Sequence, residues 1–393
     1  MLSIALAGKP NTGKSTFFKS STLIDVAIAS YPFTTKDANH GVSYVRSRCP
    51  CGELGVRETC EKCSSGERLI PIELIDVAGL VPDAHKGRGL GNEFLDHLRR
   101  ANAIINVVDT SGATDGEGNL IGVGLHDPTE DVRMFETEFS MWLCGILEKK
   151  WRQSSKKAAA EKTKIERVIA EQLAGIGVTE AHAKQAVLSS GLDPERADRW
   201  SQSDLASLAN LLRVESKPML IAANKLDVAP EGNLEKLKGF GYTVIPCSAE
   251  AELALRSAAK NRLINYTPGD RDFEVIATLS AKQRDALEKI RVLMKKFKGT
   301  GVQECINHAV FKLLSQIVVY PVEDENKFCD SKGVTLPDAI LLPSGSTPRQ
   351  LAFAVHSDLG EGFLYAVDAR TKMRLGEKYE MKNGDAIKIV SSC

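Results

Sequence analysis

A phosphate-binding pattern lies near the start of the chain. The residues from Gly8 to Thr16 match GxxxxGK[ST] between an apolar run at 2–7 and the beginning of a helical pattern. Glycines allow positive φ and let backbone N–H groups surround a phosphate, and the positive end of a helix reinforces those donors. Lys14 would contact the β and γ phosphates, and the Ser15 hydroxyl would bind Mg²⁺. The predicted phosphate contacts are Gly8, Lys9, Pro10, Asn11, Thr12, Gly13, Lys14, Ser15 and Thr16.

A second pattern concerns a nucleotide base. An apolar strand pattern ends in Asn224-Lys225-Leu-Asp227, which is the NKxD motif. A carboxylate accepts hydrogen bonds from the N1–H and 2-amino groups of guanine, whereas an adenine edge would leave it desolvated and unpaired. Asp227 therefore predicts guanine, with Lys225 over the base plane and Asn224 bracing the loop. The predicted base contacts are completed by two residues after a short strand pattern, Ser248 and Ala249.

A third pattern would sense the γ-phosphate. A strand pattern leads into Asp76-Val-Ala-Gly79, the DxxG motif, in which Asp76 can hold Mg²⁺ through water and the Gly79 N–H can face the γ-phosphate. The segment Tyr31-Pro-Phe-Thr-Thr follows the phosphate loop and supplies a switch-I threonine for Mg²⁺. Because Thr34 and Thr35 are adjacent, either can be the ligand.

The residue after the DxxG glycine is Leu80, which cannot orient an attacking water molecule. Hydrolysis must then depend on another switch residue, on a monovalent cation or on a partner. His85 is the nearest imidazole and a candidate for aligning water; the alternative is an exposed loop histidine. Asn11 is a candidate for coordinating K⁺ near the phosphates. The glycine-dense segment 86–91 is typical of a mobile switch.

Four of the nine cysteines are grouped in a segment at 46–66. An odd number of cysteines argues against a closed disulfide framework and favours a reducing, cytoplasmic location. The group combines a CxC with a CxxC, and four thiolates on two short turns suit tetrahedral Zn²⁺. The alternative is an exposed or redox-sensitive loop between switch I and the DxxG strand. The candidate zinc ligands are Cys49, Cys51, Cys60 and Cys63.

Length and composition limit the number of domains and the classes of protein that the chain can belong to. At about 150 residues per domain, the 393 residues predict two or three domains. Lys plus Arg and Asp plus Glu both number 51, so the net charge of zero excludes broad electrostatic attraction to nucleic acid or membrane. No apolar run approaches the roughly 20 residues of a transmembrane helix, and the N-terminus lacks the features of a signal peptide. We therefore expect no membrane association.

Two further segments flank the second half of the nucleotide motifs. Apolar residues at helical spacing, such as Ile165, Ile169 and Leu173, predict a helical insertion at 138–214. Its basic stretch at 149–164 is either a solvated helix face or a contact for RNA phosphates. The C-terminal segment at 317–393 shows the order strand, strand, helix, strand, strand, with Pro348 in the first helical turn. This order predicts a small β-grasp domain.

These motifs resemble those of the Obg-like GTPases, and within them the YchF group in its archaeal form. The resemblance is carried by 8–16, 31–35, 76–80 and 86–95 and by the C-terminal segment, and it covers all of the chain except the cysteine segment. It implies an α/β P-loop NTPase G domain with a helical insertion and a C-terminal β-grasp domain of the TGS type. One member of the group binds ATP through an altered base motif, but this chain keeps NKxD.

The resemblance implies four segments and a function. The G domain would occupy 1–137 and 215–316, with the helical insertion at 138–214 and the TGS-like domain at 317–393. We expect a GTPase that hydrolyses GTP slowly to GDP and phosphate, with GTP ordering the switch segments. By resemblance, it would act in translation, with the ribosome or RNA as partner. The alternative is an RNA-binding or scaffold protein whose nucleotide is mainly structural; a kinase is disfavoured because it has no use for NKxD.

Overall fold

The computed structural model describes residues 1–22, 40–64, 66–86 and 97–392. The two switch-I threonines, Thr34 and Thr35, and most of the glycine-dense segment at 86–91 lie outside the described residues. Within those described ranges, no helix combines the length and the apolar character that a bilayer span requires.

A six-stranded sheet forms the centre of the nucleotide-binding part. Its spatial order is β2-β3-β1-β4-β5-β6, and β2 pairs antiparallel with β3 while the other pairs are parallel. The strands β1, β4 and β5 are buried along their whole length, as parallel strands are when both faces are covered. The strands are β1 (Ser3–Ala7), β2 (His40–Arg48), β3 (Glu67–Asp76), β4 (Ala103–Asp109), β5 (Met219–Asn224) and β6 (Val244–Pro246).

Helices cover this sheet and continue into the insertion. The spacing of Ile165, Ile169 and Leu173 indicated a helix with one apolar face, and these three side chains are its buried residues. They belong to the same apolar core as Ala5 and Ile104 of the sheet, so the insertion packs onto the sheet. The helices up to β5 are α1 (Lys14–Thr22), α2 (Pro128–Glu148), α3 (Trp151–Glu161), α4 (Ile165–Leu173), α5 (Glu180–Ser190) and α6 (Gln202–Ser216).

The chain after β5 returns to the sheet before it reaches the C-terminal domain. Ser248 caps α8 by accepting a hydrogen bond from the backbone N–H of Ala251, which positions the turn at the end of β6. A short hairpin separates α8 from α9. The elements are α7 (Asn233–Lys238), α8 (Ala249–Lys260), β7 (Ile264–Asn265), β8 (Glu274–Val275), α9 (Ala281–Phe297) and α10 (Val302–His308).

The C-terminal domain is a five-stranded sheet with helices on one face. Its spatial order is β10-β9-β13-β11-β12; β9 and β13 pair in parallel and the other pairs are antiparallel. Leu351 of the longer helix shares a buried apolar cluster with Ile317 and Val319 of β9, the strand next to the central strand β13. The predicted β-grasp fold is confirmed. The elements are β9 (Gln316–Val322), β10 (Ile340–Pro343), α11 (Pro348–Val355), α12 (Ser357–Glu361), β11 (Phe363–Asp368), β12 (Arg374–Leu375) and β13 (Ala386–Ser391).

The nucleotide motifs meet at one edge of the six-stranded sheet. The parallel strands β1, β3, β4 and β5 end at Ala7, Asp76, Asp109 and Asn224, so their carboxyl ends lie side by side. Loops at this edge carry ligands in open α/β sheets. The phosphate loop, DxxG and NKxD motifs are therefore brought together by strand order although they are far apart in the sequence.

Candidate nucleotide-binding site

The phosphate loop has the backbone conformation that its sequence predicts. Gly8 has a φ of +137° and Gly13 a φ of +93°, values that favour glycine. There is also no room for a side chain, because a Cβ atom at Gly8 would lie 2.4 Å from the carbonyl oxygen of Val107. A Cβ atom at Gly13 would lie 2.4 Å from Nδ2 of Asn224. Gly13 thus allows the phosphate loop to contact the base-binding motif directly.

Lys14 and Ser15 lie at the start of α1, beside Asp76. The ammonium group of Lys14 donates to the carbonyl oxygen of Lys9 at 2.7 Å, and burial lowers the pKa of Lys14 to about 8, although the charge of Asp76 opposes this shift. The Ser15 hydroxyl donates to Oδ2 of Asp76 at 2.8 Å. Burial raises the pKa of Asp76. The arrangement places a buried cation and a half-buried carboxylate where phosphate and metal would bind.

Asp76 also fits the Mg²⁺ that this fold implies. Its second oxygen, Oδ1, is buried and has no hydrogen-bond partner among the described residues. A buried oxygen of this kind carries a desolvation cost that a cation relieves. A hydroxyl and a carboxylate oxygen are ligands that Mg²⁺ prefers. Ser15 and Asp76 therefore form a suitable pair of donors on the described side of the site.

The DxxG segment packs directly onto the phosphate loop. A Cβ atom at Gly79 would lie 2.8 Å from the backbone nitrogen of Pro10, so only glycine fits there. The next residue, Leu80, donates its backbone N–H to the carbonyl oxygen of Gly8 at 3.1 Å, and its side chain is buried in the core. Leu80 therefore contributes packing, and the position cannot supply a water-orienting group.

The NKxD residues are fixed by hydrogen bonds to the loops around them. Asn224 donates from Nδ2 to the carbonyl oxygen of Thr12 at 2.8 Å, and its Oδ1 accepts from the backbone N–H of Ala249 at 2.9 Å. The Ser248 hydroxyl donates to Oδ1 of Asp227 at 2.8 Å. These bonds hold the Asp227 carboxylate beside the Ser248-Ala249 loop. The two segments predicted to contact guanine are thus connected to each other and to the phosphate loop through side-chain hydrogen bonds.

Lys225 connects the base motif to the phosphate loop and to a residue that the sequence analysis missed. Its φ is +60°, and its ammonium group donates to the carbonyl oxygen of Asn11 at 2.6 Å and to Oδ2 of Asp109 at 2.9 Å. Asp109 is fully buried at the end of β4 and also accepts from the hydroxyls of Ser111 and Thr114. Its position as the last residue of an apolar strand was the available signal.

A second missed group lies beneath the phosphate loop. Lys9 is almost fully buried, and its ammonium group contacts Oδ1 of Asp131 and the carbonyl oxygen of Thr114, each at 2.8 Å. Nε2 of His126 lies 2.7 Å from the same Asp131 oxygen. A buried charge without a partner is strongly destabilising, so this pair fixes the loop conformation. Lys9, predicted as a phosphate contact, has its ammonium group directed into the protein.

The loop at 110–127 also covers the phosphate loop from outside. Asn11 has a φ of +61°, a conformation that asparagine tolerates, and its Nδ2 donates to the carbonyl oxygen of Gly118 at 3.0 Å. A Cβ atom at Gly118 would lie 2.7 Å from Cβ of Pro10. The Asn11 side-chain nitrogen is therefore occupied, and the side-chain oxygen Oδ1 is the atom to which the predicted K⁺ contact would fall.

His85 is anchored to helix α2. Its Nδ1 lies 2.7 Å from Oε2 of Glu138, and the backbone N–H groups of Asp83 and His85 donate to the two oxygens of the same carboxylate. Most of the imidazole is buried. This arrangement fixes the ring orientation and leaves Nε2 as the atom for any contact with water.

The four grouped cysteines converge in the structure. Sγ of Cys49 lies 3.9 Å from Sγ of Cys60, Sγ of Cys51 lies 3.6 Å from Sγ of Cys63, and all four sulfurs are within 4.8 Å of one another. The four residues are free thiols. A hydrogen bond from Cys49 lowers the pKa of Cys60 to about 5, whereas burial raises the pKa of Cys63 to about 11. The set thus has the shape of a tetrahedral sulfur site.

Fold and site together define a P-loop GTPase with a C-terminal TGS domain. Residues 3–135 match the family model of 50S ribosome-binding GTPases, and residues 332–391 match that of the TGS domain. Residues 222–324 match the G4 motif-containing domain of the YGR210-like Obg-like GTPases. The G4 motif corresponds to NKxD, so the family comparison includes the base-binding segment.

The chain belongs to the Obg-like GTPases of the YchF group. It is 50% identical to the GTP-binding protein MJ1332 of Methanocaldococcus jannaschii over 100% of both chains. It is 31% identical to the ribosome-binding ATPase YchF of Bacillus subtilis over 98% of both chains. The crystal structure of a GTP-binding protein from Pyrococcus horikoshii OT3 is 42% identical, covers 99% of this chain and 100% of its own, and superposes with a TM-score of 0.78.

Proposed function

We propose that this protein is a guanine-nucleotide switch that binds GTP, hydrolyses it slowly to GDP and phosphate, and binds the ribosome in a nucleotide-dependent way. The observation that supports guanine is the placement of Asp227, whose carboxylate is held by Ser248 beside a loop that Asn224 joins to the phosphate loop. An adenine edge lacks the pair of donors that this carboxylate can accept from guanine. The ATPase names of some relatives thus do not decide the base preference here.

Metal and phosphate binding follow from the same geometry. In our proposal Ser15 and Asp76, with Thr34 or Thr35, hold Mg²⁺, which when bound neutralises phosphate charge. Lys14 moves its ammonium group from the carbonyl oxygen of Lys9 to the phosphates. The backbone N–H groups between Gly8 and Thr16 orient the phosphates, and the Gly79 N–H faces the γ-phosphate.

Hydrolysis requires a group other than Leu80 to orient the attacking water. We propose that Nε2 of His85 orients the attacking water, because Glu138 fixes the ring through Nδ1, and that Asn11 contributes its side-chain oxygen to a K⁺ site. Replacing His85 by Ala should slow GTP turnover about tenfold or more without changing nucleotide affinity. Equal turnover in the variant and the unchanged protein would rule out the role of His85 in orienting water. Equal rates in Na⁺ and K⁺ buffers would rule out the K⁺ site.

The ribosome proposal is supported by the TGS domain, by the insertion and by the Bacillus subtilis relative, which is named as a ribosome-binding ATPase. In the predicted basic stretch, the charged side chains are exposed along and around α3, where they can meet RNA phosphates. The basic positions are Lys149, Lys150, Arg152, Lys156, Lys157, Lys162 and Lys164. A cytoplasmic location agrees with this partner.

Ribosome co-sedimentation tests the switch against the scaffold alternative. The full chain should pellet with ribosomes to different extents when loaded with GDP and with a non-hydrolysable GTP analogue, because a switch must have different affinities in its two states. Nucleotide-independent binding at the same salt concentration would favour the scaffold. Absence of binding in every nucleotide state would remove the ribosome from the proposal and leave the GTPase intact.

The four cysteines are proposed to hold one Zn²⁺. With Zn–S bonds of about 2.3 Å, the sulfurs of a regular tetrahedron lie about 3.8 Å apart, and the two measured separations are 3.6 Å and 3.9 Å. A disulfide would instead require sulfurs about 2.05 Å apart. The spacing therefore suits a metal tetrathiolate better than an oxidised pair.

A further inference from the structure

The cysteine segment is also part of the contact between the two domains. We define the cysteine knuckle as residues 49–63, which follow β2 and precede β3 of the G-domain sheet. Three of its cysteines belong to one buried cluster with side chains of the C-terminal domain. The C-terminal members of this cluster include Tyr320, Phe328 and Leu336. The candidate metal ligands therefore lie inside the interdomain core and not in an isolated loop.

Hydrogen bonds join the two sides at the same place. The Thr335 hydroxyl of the C-terminal domain donates to the Thr59 hydroxyl of the knuckle at 3.0 Å. Nη2 of Arg68, at the start of β3, donates to the carbonyl oxygen of Pro337 at 2.9 Å. The knuckle and the adjoining strand thus provide the G-domain half of a defined contact.

Two buried donors in this contact have no hydrogen-bond partner among the residues that the structure describes. Nη1 of Arg68 and the hydroxyl of Tyr320 are buried and make no hydrogen bond within the described ranges of the chain. The Arg68 guanidinium lies 5.9 Å from the centre of the Tyr320 ring. Two unsatisfied donors at one place are costly and require an acceptor.

A metal tetrathiolate would place a net negative charge in the same contact as both donors, neither of which donates to a cysteine sulfur in the described structure. Four thiolates around Zn²⁺ carry a net charge of −2, and such centres are stabilised by outer hydrogen-bond donors and cations. Four neutral thiols carry no net charge and do not need such donors or cations. Arg68 would supply its donor from the G domain, whereas Tyr320 would supply its donor from the C-terminal domain. The charge of one metal centre would therefore be balanced by residues from both domains.

We propose that Zn²⁺ on Cys49, Cys51, Cys60 and Cys63 holds the C-terminal domain against the G domain, with Arg68 and Tyr320 as the outer partners of the thiolates. This inference rests on the zinc binding proposed above. It adds that metal loading controls the docking of the TGS domain. Loss of the metal should release the contact without disturbing the nucleotide site, whose motifs lie at the carboxyl edge of the sheet.

The test uses the full chain, purified without chelator, then stripped and reloaded with Zn²⁺. Metal analysis should find one zinc per chain. Hydrogen exchange should show that stripping raises exchange in both 49–68 and 316–337, that Zn²⁺ restores protection, and that 8–16 and 219–227 do not change. Nucleotide affinity, measured on the same samples, should be equal in the two forms.

Two matched pairs of variants separate metal binding from general destabilisation. Cys63→Ser should abolish stoichiometric zinc, whereas Cys329→Ser, a buried cysteine of the C-terminal domain, should retain it. Tyr320→Phe removes only the unpaired hydroxyl and should weaken zinc affinity about tenfold or more. Tyr266→Phe removes a hydroxyl that is bonded to Glu252 and should leave zinc affinity unchanged.

The outcomes distinguish the zinc proposal from the docking proposal. Absence of zinc after reloading, or one equivalent of another metal in its place, would overturn both. Zinc binding with increased exchange confined to 49–68 would overturn the docking proposal alone. Equal zinc affinity in Tyr320→Phe and the unchanged protein would also contradict the outer-partner assignment. A loss of GTP binding by the zinc-loaded protein would concern only the nucleotide proposal.

Discussion

The base end and the γ-phosphate end of the nucleotide site differ in how their polar groups are satisfied. At the base end Asn224, Lys225 and Asp227 each have a partner in the protein. At the γ-phosphate end Oδ1 of Asp76 has no partner in the described part of the chain, and burial disfavours the charge of Lys14. The base end is complete without a ligand, whereas the phosphate end is not.

This difference assigns separate tasks to the two ends. A base loop already held by hydrogen bonds loses little conformational entropy on binding, so it can select guanine by geometry. At the phosphate end, burial disfavours the charged forms of Lys14 and Asp76. Phosphate would stabilise the Lys14 ammonium and Mg²⁺ would stabilise the Asp76 carboxylate. Specificity should therefore depend on the first end, and the response to metal, pH and the γ-phosphate on the second.

The largest effect is expected from breaking the base end at Asn224. Asn224→Ala would leave the carbonyl oxygen of Thr12 and the N–H of Ala249 unpaired, and each unpaired group costs about 1–3 kcal/mol. We expect GDP affinity to fall about hundredfold or more, as measured by isothermal titration calorimetry.

The matched control is Asn307→Ala. Asn307 also accepts from a backbone N–H and donates to a backbone carbonyl, both of Arg46, but it lies outside the nucleotide motifs. The two variants should lose similar stability to urea, and only Asn224→Ala should lose nucleotide affinity. Equal nucleotide binding by both variants would show that the hydrogen bonds of Asn224 do not organise the site.

The second prediction concerns the γ-phosphate end. Addition of Mg²⁺ should increase GDP affinity about tenfold less in Asp76→Asn than in the unchanged protein. The GDP affinity measured in EDTA should change little. Burial raises the pKa of Asp76, so the carboxylate reduces stability once the pH exceeds the folded-state pKa. The variant without ligand should therefore melt at a slightly higher temperature. An unchanged Mg²⁺ response would remove Asp76 from the metal site.

The third and smallest effect is a pH dependence of nucleotide affinity. Burial lowers the pKa of Lys14 to about 8 without ligand, and bound phosphates must raise it, so binding takes up a proton as the pH approaches 8. Affinity should be fully present well below pH 8 and decline above it, by about fourfold from pH 7 to pH 8.5. Calorimetry in buffers of different ionisation enthalpy should detect the proton uptake, and a flat profile would contradict the assignment.

The sequence predicted the groups whose chemistry is local and missed those whose partners are distant. The phosphate loop, DxxG and NKxD motifs define their backbone through neighbouring residues, so their positions at one sheet edge followed from strand order. The Lys9–Asp131 pair could not be predicted, because it depends on the packing of α2 beneath the loop. The anchoring of His85 by Glu138 has the same origin.

The C-terminal domain shows the same difference: its fold was predictable from the sequence, but its contact with the G domain was not. The order strand, strand, helix, strand, strand, with Pro348 in the first turn of the helix, was sufficient to predict a β-grasp fold, because strand and helix patterns are local. The packing of this domain on the cysteine knuckle was not predictable, since nothing near Tyr320 in the sequence indicates a contact with Cys49 or Arg68. Interdomain contacts required the structure.

Competition among nucleotides tests the central claim, guanine selection by Asp227. With Mg²⁺ present, the unchanged protein should bind GTP at least about hundredfold more tightly than ATP. Asp227→Asn should prefer XTP to GTP, because an amide can donate to the xanthine carbonyl where the carboxylate accepted from guanine. Equal affinities of the unchanged protein for GTP and ATP, or an unaltered GTP affinity in the variant, would contradict the account.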